Sequence, residues 1–193
     1  MVNLFPSKNY SFALTFHNFS SKDFHWFERT IDLLSEEFQF IDPNNLEDIL
    51  NNKNSQKKIL ITFDDGFKSN LYIAEKILKP RGIKAIFFIT SSFIGLHGKA
   101  AYDFAAKNFY PESLIPQKYI KDIDAMDWKD INWLIRQGNK IGAHTTIHSK
   151  LSNLKKEEVY KDITESVNIL EEKTGETINY FAYPFGNFDS INK

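Results

Sequence analysis

The stretch Lys58-Ile59-Leu60-Ile61-Thr62-Phe63-Asp64-Asp65-Gly66 decides how the rest of the chain is read. Its first six residues form an apolar run of strand length, and the Asp-Gly that closes it is turn chemistry. Beyond the turn, Leu71, Ala74, Ile77 and Leu78 recur at helical spacing, and Pro80 and Gly82 stop that pattern. A short strand leading through a polar turn into an amphipathic helix is therefore the unit to seek on either side.

The unit recurs in both directions. Upstream, residues 12–16 predict a strand ending at His17, and Phe24, Phe27, Ile31, Leu34 and Phe38 predict one apolar helix face, with Ser20 or Ser21 as N-cap. Downstream, residues 83–90 predict a strand buried on both faces. Trp128, Ile131, Leu134 and Ile135 mark a helix ended by Gly138, and Lys140–Ala143 a strand feeding His144. The longest helix carries Val159, Ile163, Val167 and Leu170 and stops at Gly175. A fifth strand over 178–183 precedes Pro184-Phe185-Gly186. Between the third strand and the next helix, residues 91–125 predict an insertion, either a long loop or a small helical unit. The order β-α-β-α-β-insertion-α-β-α-β predicts a single α/β domain over 1–193 with a parallel sheet, because parallel strands need crossover connections. Periodicity alone leaves barrel and open sheet as alternatives.

Composition narrows the function classes. The 193 residues are 42% hydrophobic and 25% charged, as in ordinary globular proteins. Twenty-four basic and twenty-five acidic residues leave a net charge of −1, which offers no electrostatic case for a nucleic-acid or anionic-membrane partner. No apolar stretch approaches the roughly 18–20 residues that span a bilayer. Residues 1–10 lack a basic region followed by an apolar run, so no secretory signal is expected and the expected compartment is the cytoplasm. With no cysteine, thiolate chemistry is excluded, and any metal must be held by His and carboxylates.

The chemistry-bearing residues share one placement. His17, Asp64-Asp65, His144, His148 and the Tyr183-Pro184-Phe185-Gly186 turn all follow the C-terminal end of a predicted strand, the edge where parallel α/β folds build active sites. Two adjacent carboxylates after a buried strand raise each other's ionisation cost, which a cation would relieve; an ordinary Asp-Gly turn is the plainer alternative. His144-Thr145-Thr146-Ile147-His148 places two imidazoles four residues apart, as on one side of a helical turn, while one core and one surface histidine is the plainer reading of an isolated pair. Taken together, Asp65, His144 and His148 would hold one divalent metal and leave positions for water and substrate. Zinc suits this donor set, and cobalt, nickel or manganese are compatible with it.

At this point the chain resembles the NodB-homology polysaccharide deacetylases, carbohydrate esterase family four. The resemblance runs from Leu14-Thr15-Phe16-His17-Asn18 through Thr62–Gly66, Phe87-Phe88-Ile89-Thr90, Met126-Asp127-Trp128 and Gly142-Ala143-His144 to His148, then Lys173-Thr174-Gly175 and Phe181-Ala182-Tyr183-Pro184-Phe185-Gly186. It implies a distorted (β/α) barrel and a metal-dependent hydrolase that removes N-acetyl groups from a polysaccharide or sugar precursor. It further implies that Asp64 is the general base and that Asp65, His144 and His148 are the metal ligands. The Tyr183-Pro184-Phe185 turn would meet substrate, a backbone N–H near Phe185 stabilising the oxyanion. Two departures stand out. Ala182 occupies the place where members often carry an arginine that orients the base. The Leu-x-His that supplies the family's general acid would follow Lys193, so the barrel is expected to be incomplete at the C-terminus, with His17 as a supporting residue or partial substitute for that acid. A catalytically impaired metal- and sugar-binding module is the alternative reading, and a metal phosphoesterase a weaker one.

Overall fold

The computed structural model describes residues 11–46, 57–110 and 122–190. The expectation about a signal at residues 1–10 and the middle of the predicted insertion, 111–121, lie outside them. The elements are β1 (Ser11–Phe16), α1 (Phe24–Glu37), β2 (Gln39–Phe40), β3 (Lys58–Phe63), α2 (Lys68–Ile73), β4 (Ala85–Ile89), α3 (Gly98–Asn108), α4 (Trp128–Arg136), β5 (Lys140–Ala143) and α5 (Lys156–Thr174). Every strand pair is parallel, and the sheet runs β1-β3-β4-β5. Tiny β2 pairs with Lys58 and Ile59 at the start of β3. It is two residues long, too short to leave a periodic signal in sequence. Among the described residues no helix is long and apolar enough to cross a membrane.

The apolar run that opened the reading is the centre of this sheet. All six residues of β3 are buried, as expected for a strand covered on both faces. Ile59, Ile61 and Phe63 join the large core under the helices, whereas Leu60 packs with Ile41 and Ile86 in a smaller cluster. The helices reach the sheet through the predicted positions. Ser20 accepts the Lys22 N–H and Asp23 accepts the Ser20 N–H, a capping box that starts the turn leading into α1. Phe27 and Ile31 are then the buried residues of α1. Phe38 lies just past the helix in extended backbone, and is still buried in the same core.

One stretch differs from the sequence reading, and another takes the helical one of its two alternatives. Residues 178–183 make only one parallel bridge, Ala143 to Phe181, rather than a strand. Its hydrogen bonds are Ala143 N–H to the Tyr180 carbonyl (2.8 Å) and Ala182 N–H to the Ala143 carbonyl (3.0 Å). β5 offers only four residues to pair with, and the next carbonyl along, that of Ala182, is taken by His144 (2.9 Å). Within 91–125, helix α3 buries Ala101 and Ala105 against Phe67, Phe93 and Phe109, a second small core beside the sheet edge.

The Phe27 ring meets Phe16 at 5.0 Å, Phe19 at 5.2 Å and Phe63 at 6.0 Å and is fully buried. Truncating such a ring removes its transfer energy and leaves a cavity, so Phe27→Ala is expected to cost about 3–5 kcal/mol in denaturant unfolding. A loss below about 1 kcal/mol would mean that α1 does not anchor β1 and β3.

Candidate metal centre and active site

The strand ends deliver the site. β1 ends before His17, β3 before Asp64 and Asp65, and β5 before His144, so neighbouring strands place these residues along one edge. Asp64 N–H extends the ladder by donating to the Phe16 carbonyl (2.9 Å). The chain then turns through Asp65 and Gly66, both at positive φ (75° and 98°). A side chain at Gly66 would be strained by that φ and would meet Ile94 at 2.9 Å. The turn drives Asp65 inward, where it is 2% exposed.

His144 and His148 converge, but not on a helical turn. The loop between them is irregular, with Thr145 and His148 themselves in the left-handed region (φ 64° and 62°). The spacing of four therefore arises from a tight loop, which needs external support. Asp162 of α5 supplies it, accepting the Thr146 N–H at 2.9 Å and the Thr146 hydroxyl as well. Ser92 N–H donates to the Thr146 carbonyl (2.9 Å), and Ser149 N–H to the Thr145 hydroxyl (3.1 Å).

Each imidazole is fixed through its far nitrogen. His144 Nδ1 donates to the Ala182 carbonyl (2.9 Å) and His148 Nδ1 donates to the Asn108 carbonyl (3.0 Å). A carbonyl only accepts, so the proton of each neutral ring sits on Nδ1 and Nε2 presents a lone pair. Those two Nε2 atoms stand 3.6 Å and 3.5 Å from Asp65 Oδ1, beyond hydrogen-bond range. Asp65 Oδ1 is buried without a hydrogen-bond partner. The three acceptor atoms lie within 4.8 Å of one another.

Electrostatics sharpens the point. Burial, and then the charge of Asp64, pushes the Asp65 carboxyl well above the usual carboxylate range. Burial holds the His144 imidazole down to about 3 and the His148 imidazole down to about 4. By itself the cluster would be neutral, with a buried acceptor unsatisfied, which is costly. A divalent cation would reverse each of these penalties, and the donor set of one carboxylate and two imidazoles fits one.

Around the trio stand the other predicted residues. Burial pushes the Asp64 carboxyl up to about 7, and its Oδ2 lies 3.8 Å from His17 Nε2. His17 is at the mouth, its side chain 56% exposed. In the 183–185 turn Pro184 is buried, Tyr183 and Phe185 are exposed, and Phe185 has φ 65° with its ring 4.5 Å from that of His148. The Phe109 ring covers His148 from another side at 5.0 Å. His97 stays outside the site, paired with Asp127 at 3.0 Å. Sequence reasoning missed the Asn108 carbonyl and the Asp162 brace. Tyr110 lies close by as well; burial and the nearby Asp65 charge push its phenol up to about 12. Asp162 lies on a helix for which only the apolar face was followed, and a main-chain acceptor leaves no trace in residue types.

The sequence and the fold both match known proteins. The sequence profile of the polysaccharide deacetylase family matches residues 51–192. The Bacillus subtilis protein YxkH is 23% identical over 137 residues, 71% of this chain and 40% of YxkH. The peptidoglycan-N-acetylmuramic acid deacetylase PdaC of the same bacterium is 26% identical over 137 residues, 70% of this chain and 23% of PdaC. The chain thus spans less than half the length of either relative. Among solved structures, IcaB from Ammonifex degensii superposes with a TM-score of 0.71 at 23% identity, covering 93% of this chain and 77% of IcaB. That likeness gives the chain the (β/α) barrel type of fold.

Calorimetric titration with zinc is expected to give one ion per chain, lost in His144→Ala. Asp162→Ala leaves every ligand in place but frees the loop that carries them, so it is expected to weaken zinc binding by about 10–100-fold. Affinity within twofold of the wild type would show that the loop needs no brace.

Proposed function

We propose that this chain, which belongs to the polysaccharide deacetylase family, hydrolyses the N-acetyl group of an amino sugar within a carbohydrate, with a divalent metal at Asp65, His144 and His148. The observation that carries the proposal is the pair of imidazoles locked by carbonyls at Nδ1, facing a buried carboxylate beside a second, base-like carboxylate. When bound, the metal supplies Lewis acidity, polarising an acetamide carbonyl and lowering the pKa of water.

The chain's own groups account for the proton movements. Asp64, with its carboxyl near 7, is suited to take the proton of the attacking water as the new C–O bond forms. The C–N bond then breaks, and the leaving nitrogen needs a proton. Burial holds the His17 imidazole below its ordinary value, so it would act as a relay, passing on to that nitrogen the proton that Asp64, 3.8 Å away, took from water. Acetate and the protonated amine are the products, both protons of the attacking water ending on nitrogen, so the proton count balances. The Phe185 N–H makes no hydrogen bond among the described residues and sits in the turn against His148, which suits it to the oxyanion. Tyr183 and Phe185 stand exposed at the rim, where a sugar would enter. The name of PdaC, an N-acetylmuramic acid deacetylase, supports an acetylated amino sugar as the substrate class.

A second reading, a metal- and sugar-binding module with impaired turnover, has one observation in its favour. Among the described residues Asp64 Oδ1 is buried without a hydrogen-bond partner, and Ala182 carries no polar group that could orient it.

Acetate release from N-acetylglucosamine oligomers by the zinc-loaded protein separates the two. Turnover is expected, and Asp64→Asn and His17→Ala are each expected to lower kcat by about 10²–10⁴-fold while zinc still binds. Oligomer binding without acetate would favour the binding module. Neither binding nor acetate across a panel of acetylated saccharides would sink the carbohydrate reading.

A further inference from the structure

A cavity of about 420 Å³ lies where β5 begins, at the end of that strand away from His144. It is bounded by the turn after β2, the turn that ends α4 and the stretch over 176–180. That volume lies in the range of small-molecule sites. The walls are tied to one another by side chains. Asn44 Nδ2 donates to the Gly138 carbonyl (2.9 Å), and the Tyr180 hydroxyl donates to the Pro43 carbonyl (3.1 Å). Asn139 is wholly structural: its Oδ1 accepts the Ala85 N–H (3.0 Å) and its Nδ2 donates to the Leu134 carbonyl (3.0 Å). Bonds between residues 94 and 137 positions apart make this a preformed feature of the tertiary structure.

Other polar groups of the lining have no such role. Among the described residues the side chains of Asn45, Lys140, Glu176 and Asn179 make no hydrogen bond and no ion pair, yet all four line the cavity. Lys84 gives the contrast: it lies against Gly138 and is paired with Asp42 at 2.7 Å. Lys140 and Glu176 carry opposite charges without pairing with each other. Counting back along both chains from the bridge between Ala143 and Phe181 sets Lys140 opposite Ile178. Glu176 then lies two residues, about 7 Å, further along. An ion of either sign meets one attractive and one repulsive group here, phosphate facing Glu176 and a simple amine facing Lys140. A molecule with a carboxylate and an ammonium on one carbon satisfies both, each charge gaining a charge-assisted hydrogen bond. The amides of Asn45 and Asn179 add donors and acceptors for a polar side chain.

We infer that this cavity is a binding site for a free α-amino acid, its carboxylate on Lys140 and its ammonium on Glu176. The site is distinct from the candidate metal centre, since β5 starts at Lys140 and delivers His144 only past its other end. It stands whether or not the chain is a deacetylase.

The test is calorimetric titration of the zinc-loaded full chain with each of the common L-amino acids in turn. At least one is expected to bind saturably at a single site. Its α-hydroxy acid analogue, which lacks the ammonium, and its α-amide, which lacks the carboxylate, are each expected to bind roughly tenfold more weakly. Lys140→Gln and Glu176→Gln are each expected to weaken the amino acid by roughly the same factor, while zinc affinity stays near the wild-type value and shows that both variants fold. Amino-acid binding that survives both substitutions, as chelation of the zinc would, overturns the site. Equal binding of the singly charged analogues overturns it as well, and so does the absence of saturable binding by every amino acid.

Discussion

The contact on which the structure turns is that between Asp65 Oδ1 and the two imidazole Nε2 atoms, 3.6 Å and 3.5 Å away in a site closed to water. Three acceptors facing one another are not a stable arrangement by themselves. Burial raises the cost of charging any of them, and Asp65 Oδ1 finds no hydrogen-bond partner among the described residues. The fold nonetheless spends two backbone carbonyls, from Ala182 and Asn108, on holding the rings so that no ring proton points inward. This is the second-layer arrangement that metal-binding histidines use, where the outer hydrogen bond fixes tautomer and direction together.

Holding that geometry costs backbone strain, and the strain is localised. Among the described residues, the non-glycine positions at positive φ are Asp65, Thr145, His148 and Phe185. All four border the candidate site. Such positions cost about 1–3 kcal/mol each and persist only where the surroundings over-determine them. Here the surroundings are identifiable. Fully buried β3 fixes the turn at Asp65, the carboxylate of Asp162 fixes the loop at Thr146, and the bridge from Ala143 to Phe181 fixes the approach to Phe185. Phe109 and Phe185 then pack on His148 from two sides.

The same edge divides into a closed part and an open part. Asp65, His144 and His148 are buried, while His17, Trp26, Tyr183 and Phe185 stand exposed along the rim. A cation gains most from a dry, low-dielectric cage, whereas the saccharide proposed as substrate would reach the site from solvent and meet aromatic faces there. Asp64 lies at the boundary, buried enough for its carboxyl to rise to about 7 yet 3.8 Å from the exposed imidazole of His17. A proton taken up on the buried side is thus close to a group that exchanges with water.

Sequence by itself determined the alternation of strands and helices, the apolar faces that build the core, and the arrival of Asp64, Asp65, His144 and His17 at strand ends. These are local properties: side-chain period and turn residues are written within a few positions of one another. Tertiary structure decided the rest. The two histidines meet on a left-handed loop instead of a helical turn, because partners beyond the loop, Ser92 and Asp162, hold it. The tautomers follow from carbonyls 38 and 40 positions away, and the fifth strand shrinks to one bridge because Ala182 serves His144 instead of the ladder. Main-chain carbonyls belong to every residue alike, so no pattern of side chains announces which of them will face an imidazole. Only the closing of the chain brings those groups together.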